Sequence, residues 1–198
     1  MKHPPIKDNM INDIRKALLE KNDIEMPTKC TADEIPNDDP VILFTQKYTE
    51  QGGLMYYSTT EEEIMQQVRK VQMKYGDASI GCCNKNLTEF LRHLGIENVG
   101  TASRNYTYRI GALLCEGLIA ENGSLAFSST QNFGSLFPTL PEVTLAIAFT
   151  AQVMPTWEAL VNRIKDSNTP FPSELVQMLP GAASSQVTNL HLLLIEDL

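Results

Sequence analysis

Apolar and polar positions along the chain change period several times, and each change marks an element. Val41 to Tyr48 repeats apolar residues at helical spacing and stops at Gly52-Gly53, a pair suited to a helix C-terminus. Leu54-Met55-Tyr56-Tyr57 then reads as a strand. Thr60 and Glu63 stand at capping-box spacing, and the helix they open carries Ile64, Val68 and Val71 on one face as far as Tyr75. Ala78 to Cys83 is a short apolar run, Asn86 to Leu94 a helix ended by Gly95, and Glu97 to Gly100 a short strand. Strands alternating with helices at this interval predict βαβ units on a parallel sheet.

The pattern differs after residue 110. Gly111 to Ala120 and Ser124 to Ser128 are apolar segments separated by Glu121-Asn122-Gly123, and an Asn-Gly pair between two such runs predicts a hairpin whose turn residues tolerate positive φ. Val143 to Phe149 is a further strand. Pro155 precedes a helix with Trp157, Leu160, Val161 and Ile164 on its apolar face, and Glu174 to Leu179 and Leu190 to Ile195 close the chain as strands. The expected class is α/β: a mixed, mainly parallel sheet with helices packed on its faces. Residues 8–21 space Met10, Ile11, Ile14, Ala17 and Leu18 as a short amphipathic helix, and a polar stretch with Pro27, Pro36 and Pro40 follows without any period. The reading is thus an arm of helix and linker over 1–38, then a single α/β domain over 39–198.

Composition narrows the partners. In 198 residues with a net charge of −8, no Lys or Arg stripe is available to meet a phosphate backbone, which argues against nucleic acid. No run of eighteen apolar residues exists to cross a membrane, and MKHPPIKDNM has no signal-peptide apolar core. Cysteines stand at 30, 82, 83 and 115 without a CxxC spacing, and His3, His93 and His191 are far apart. That pattern predicts no metal site, no iron–sulfur cluster and no bound cofactor in a reducing, cytoplasmic setting. Cys82, Cys83 and Cys115 lie in apolar runs with no neighbouring cation to lower a thiol pKa, so packing is their expected role. His93 falls at a helix end, where positive charge suits the dipole, and His191 within the last strand is expected to be packed or at an edge.

Two segments carry candidate chemistry. Glu121-Asn122-Gly123-Ser124 places a carboxylate beside a tight turn with backbone N–H groups, so Glu121 could act as acid, base or nucleophile; the commoner form of such a hairpin is a surface turn whose glutamate faces water. Pro180-Gly181-Ala182-Ala183-Ser184-Ser185 follows a strand and is rich in small residues, so the backbone near Gly181 and Ser184 could approach an anion, although neither GxGxxG nor GK[ST] is present.

The block Glu116-Gly117-Leu118-Ile119-Ala120-Glu121-Asn122-Gly123-Ser124 resembles the signature of the lactate-utilization (LUD) domain family, in which a strand ends in an Ala-Glu-(Thr/Asn)-Gly-(small) turn. The order of the flanking segments is also similar, from the Asp39-Pro40 helix to Leu140-Pro141-Glu142-Val143, as in the C-type subunit of the lactate-utilization operon of bacteria. The resemblance implies a fold like the glucosamine-6-phosphate isomerase, ribose-5-phosphate isomerase and CoA-transferase group. It also implies work beside two iron–sulfur subunits in oxidation of L-lactate to pyruvate. The family's usual Gly-Pro-Ser-(Arg/Lys)-Thr-Ala-Asp-Ile-Glu run departs here to Pro180-Gly181-Ala182-Ala183-Ser184-Ser185-Gln186-Val187-Thr188, without its cation or carboxylates. Thr144 stands where a histidine is frequent.

Three expectations follow. The first is an accessory protein that binds iron–sulfur partner subunits or a small anionic metabolite near Glu121, Asn122, Gly123 and Ser124, with Gly181 and Ser184 alongside. The second is a sugar-phosphate or acyl-group enzyme using Glu121, for which Arg104 and Arg109 are the only nearby cations. The third is a non-catalytic homodimer that has kept the fold and lost the site.

Overall fold

The computed structural model describes residues 39–101, 108–130, 141–167, 171–180 and 189–197. The predicted 8–21 helix, the linker, Arg104, Gly181 and Ser184 lie outside these residues. Helix α1 (Pro40–Glu50) leads into β1 (Leu54–Ser58), α2 (Glu61–Lys74), β2 (Ile80–Cys82), α3 (Lys85–His93) and β3 (Val99–Thr101). Next come β4 (Ile110–Leu114), β5 (Gly117–Ile119), β6 (Ser124–Ser128) and β7 (Val143–Phe149). A 3-10 turn (Thr150–Gln152), β8 (Val153–Met154), α4 (Trp157–Asp166), β9 (Leu175–Met178) and β10 (Asn189–Ile195) complete the order.

Six of these strands form one sheet in the order β1-β10-β7-β4-β2-β3, with every neighbouring pair parallel. Its central strands, Val-Thr-Leu-Ala-Ile-Ala-Phe in β7 and Asn-Leu-His-Leu-Leu-Leu-Ile in β10, are near-continuous apolar runs, as strands covered on both faces must be. The expected α/β class with a mainly parallel sheet is the observed one. The antiparallel strands do not join that sheet. They make a second one, β8-β5-β6-β9, in which β6 runs antiparallel to both β5 and β9.

The reason lies in the segment that reads as one apolar run from Gly111 to Ala120. It breaks at Cys115-Glu116 into β4 and β5. Arg163 donates to the Glu116 carbonyl at 3.4 Å, Gln152 donates to the Cys115 carbonyl at 2.7 Å, and Glu116 accepts a hydrogen bond from Ser128 Oγ. Polar side chains thus take over the backbone and carboxylate groups at the break, and the chain leaves the first sheet for the second. Apolarity alone cannot show such a corner.

Alternation along the strands sorts the side chains into layers. Ile80, Cys82, Ala112, Leu145, Ile147, Leu193 and Ile195 share a core with Ile64, Val68 and Val71 of α2 and Leu87 and Leu91 of α3. The opposite face, with Leu113, Ala146, Ala148, Leu192 and Leu194, packs on Phe44 and Tyr48 of α1 and on Leu118, Leu125 and Phe127 of the small sheet. The far side of that sheet, Ile119 and Ala126, meets Leu160 and Ile164 of α4. The order of layers is therefore helices α2 and α3, large sheet, α1 with small sheet, then α4.

Helix ends follow the sequence closely, with one shift. Gly52 takes φ +83° just past α1, and Gly53 N–H donates to Tyr48 O at 3.0 Å. Thr60 Oγ1 accepts from Glu63 N as a capping residue does, but Glu63 reaches back to Thr59 N (2.8 Å) and Thr59 Oγ1 (3.0 Å) rather than to Thr60.

Candidate functional site

The Ala120–Ser124 turn joins β5 to β6, and parts of four other elements converge on it. Ala120 N–H donates to Met154 O (2.9 Å) and Glu121 N–H to Pro155 O (3.1 Å), which ties the turn to the approach of α4. Glu121 Oε1 accepts from Trp157 N–H at 3.1 Å, at the first residue of α4. Asn122 Oδ1 accepts from Ser124 N (3.1 Å) and Ser124 Oγ (2.6 Å), while Gln51 Nε2, just beyond α1, donates to Asn122 O. Ser124 is fully buried and accepts at Oγ from Gln177 Nε2 of β9 at 2.6 Å. The structure therefore brings Glu121, Asn122, Gly123 and Ser124 together as one turn.

The turn differs in one respect from the predicted hairpin. Gly123 has φ +62°, but Asn122 does not take a positive φ. A four-residue loop links Ile119 to Ser124, and the Asn122 side chain folds the chain by accepting from Ser124 N–H, an Asx turn. Gly123 is buried against α1, where an added Cβ would lie 2.5 Å from Tyr48 N and 2.6 Å from Lys47 C. Its lack of a side chain lets the turn seat on helix backbone.

Glu121 is the exposed member of the turn. Its carboxylate already occupies the N-terminal end of α4, a place otherwise suited to an external anion. The same holds at the other helix starts. Asp39 Oδ1 accepts from Val41 N at 2.8 Å in α1, and Asn84 Oδ1 accepts from Asn86 N at 2.8 Å in α3. Asp197 Oδ2 accepts from Ala151 N at 2.6 Å in the 3-10 turn. Arg109 stands elsewhere, paired with Glu142 at 3.2 Å and donating to Tyr75 O at 2.9 Å. It is committed to partners other than the Glu121 turn. Replacing Glu121 with Gln keeps an acceptor for Trp157 N–H and removes the charge–dipole attraction. We expect a loss of at most about 1 kcal/mol in urea unfolding, with Trp157, the chain's single tryptophan, reporting by fluorescence.

Burial favours the protonated thiol at each of the three described cysteines. Burial pushes Cys82 up to about 12, against a smaller lowering by a hydrogen bond from Thr88, and burial also raises Cys83 and Cys115. Among the described residues no three His, Cys, Asp or Glu side chains come together as metal ligands would, and no helix is long and apolar enough to cross a membrane.

One polar cluster escaped the sequence reading. His191 in β10 is fully buried, with Nδ1 3.1 Å from Tyr56 OH and Nε2 2.9 Å from Tyr75 OH. A neutral imidazole has one N–H and one lone pair, so one tyrosine accepts and the other donates. Burial, and secondarily Lys74, lowers the His191 pKa to about 4. The strand position of His191 was visible, but its partners come from β1 and from the residue after α2, 135 and 116 positions away.

No family model matches the sequence, and no curated protein matches it. Among solved structures, the fold is similar to that of a DUF162 family protein from Deinococcus radiodurans, with 13% sequence identity and a TM-score of 0.64 over 82% of this chain and 99% of that one. DUF162 is the LUD-domain family. The likeness shows the fold: a chain built on the architecture of a DUF162 protein, carrying the Ala-Glu-Asn-Gly-Ser turn.

Proposed function

We propose that this protein is a LUD-type accessory protein of L-lactate oxidation, which acts by binding iron–sulfur partner subunits and performs no chemistry at the Glu121 turn. The observation that carries the reading is the commitment of the turn to the fold. Asn122 and Ser124 bond within the hairpin and to Gln51 and Gln177, Gly123 lies against α1, and Glu121 accepts from the first N–H of α4, beside the N-cap Thr156. A general base needs a substrate proton within reach and a partner for the charge that develops. Here Arg109 is paired with Glu142. The LUD family resemblance supplies the pathway, and the shared fold with a DUF162 protein agrees with that resemblance at the level of architecture. Binding of a small anionic metabolite beside the turn, and self-association, are secondary parts of this reading.

Affinity capture of the tagged chain from its own host tests the proposal. Iron–sulfur subunits are expected to co-purify, equally with wild type and with Glu121→Gln. Capture of no iron–sulfur protein by a folded chain contradicts it. Turnover of a sugar phosphate or acyl compound that Glu121→Gln abolishes would establish the enzyme reading instead.

A further inference from the structure

The outer edge of the small sheet is bare. Strand β9 ends the order β8-β5-β6-β9. Ser129 N–H donates to Glu174 O at 2.9 Å, so Glu174, Val176 and Met178 turn their backbone groups toward β6. By alternation the N–H and C=O groups of Leu175 and Gln177 face outward, where no strand lies among the described residues. Natural sheet edges are ordinarily very short, charged, bulged or covered. The opposite edge follows that rule, since β8 has two residues and packs against α1. In contrast, Leu175-Val176-Gln177-Met178-Leu179 carries no charge, its paired part runs along β6 without a bulge, and each residue is half-buried or exposed. Phe171 and Leu179, at its two ends, are large apolar side chains 50% and 42% exposed.

The segment is also symmetric about its middle. Pro172 and Pro180 bracket seven residues whose centre is Val176, and a proline cannot donate to a ladder. We propose that β9 pairs antiparallel with β9 of a second copy of this chain, across a two-fold axis at Val176, joining the two small sheets into one. In that register Leu175 of each strand lies opposite Gln177 of the other, so the outward groups of both strands bond one another in full. The prolines of the two copies fall opposite each other and bound the pairing. Glu174, the single charge of the segment, meets Met178 rather than its own copy, so no like charges oppose. Moving the axis two residues to Glu174 would set two carboxylates face to face. This pairing is the self-association included in the function proposed above, and it needs no iron–sulfur subunit, so the purified chain alone tests it.

Sedimentation of the full chain over about 1 μM to 1 mM measures the pairing. The wild-type mass is expected to rise with concentration from 22.1 kDa toward twice that value. Val176→Lys and Val176→Glu each place two like charges across the axis, and each is expected to weaken the dimer roughly tenfold. An equimolar mixture of the two variants is expected to regain the wild-type mass curve, which misfolded variants could not do. Hydrogen exchange gives a second reading on the wild type. The N–H groups of Leu175 and Gln177 are expected to exchange more slowly as concentration rises, and that of Val176, already turned to β6, to change less. Three results would overturn the proposal: a single-chain mass at every concentration, a dimer that Val176→Lys leaves intact, or exchange at Leu175 and Gln177 that ignores concentration.

Discussion

Gly123→Ala is expected to destabilise the protein by about 3 kcal/mol, more than any other glycine-to-alanine change at a positive φ in the described chain. Two effects add at this position. An L-residue at φ +62° pays roughly 1–2 kcal/mol for the left-handed backbone. The new methyl also meets Tyr48 N at 2.5 Å and Lys47 C at 2.6 Å, which are helix backbone atoms and cannot rotate away; forced overpacking adds roughly 1–3 kcal/mol. Gly95 is the control. Its φ is +73° and nothing lies within 4 Å of an added Cβ, so Gly95→Ala is expected to lose only the backbone part, about 1 kcal/mol. Urea unfolding followed at Trp157 measures both. Equal losses at the two positions would mean that the turn does not seat on α1 as described.

The second large effect is on pH. In the unfolded chain His191 binds a proton near its ordinary 6.5, whereas in the folded chain burial holds it to about 4. Below 6.5 the unfolded state therefore binds more protons, and stability falls as pH drops until about 4. Above 6.5 His191 is neutral in both states and contributes no slope. Over the acid window the loss is roughly 2–3 kcal/mol. The geometry gives the reason. Protonation would make both ring nitrogens donors, so the tyrosine that now donates would have to turn its hydroxyl away. Lys74 and Arg109 flank Tyr75, at 5.5 Å and 5.8 Å from its ring centre, and add positive charge to the surroundings. His191→Gln keeps one donor and one acceptor for Tyr56 and Tyr75 without a titrating group. It is expected to flatten the stability profile between pH 6.5 and 4. A wild-type profile as flat as the variant's in that window would contradict this account of the cluster.

Much of the fold was legible because the local signals are physically independent of tertiary contacts. Gly52-Gly53, Thr60 and Gly95 end or begin helices by their own backbone and capping chemistry, and the runs of β7 and β10 announce burial on both faces. Division into two sheets was not legible. The corner at Cys115-Glu116 is made by Gln152, Ser128 and Arg163, which approach from distant positions. Of the candidate site, the Glu121–Ser124 turn stood out for its composition. Its contacts did not, since α1, β8, α4 and β9 reach it only in the folded chain. The bare edge of β9 was invisible for a related reason: which backbone groups of Leu175 to Met178 face outward is known only once their register on β6 is known. The Tyr56–His191–Tyr75 cluster likewise depends on β10 lying beside β1.

The turn's role bears most heavily on the account. L-Lactate oxidation should be measured in host cells lacking this gene and complemented with wild type or with Glu121→Gln, the two chains matched for melting temperature and abundance. Full restoration by Glu121→Gln is the predicted result, because Glu121 holds the start of α4 and a glutamine accepts the same bond from Trp157. Loss of oxidation with a folded Glu121→Gln chain would contradict it and place chemistry at the turn.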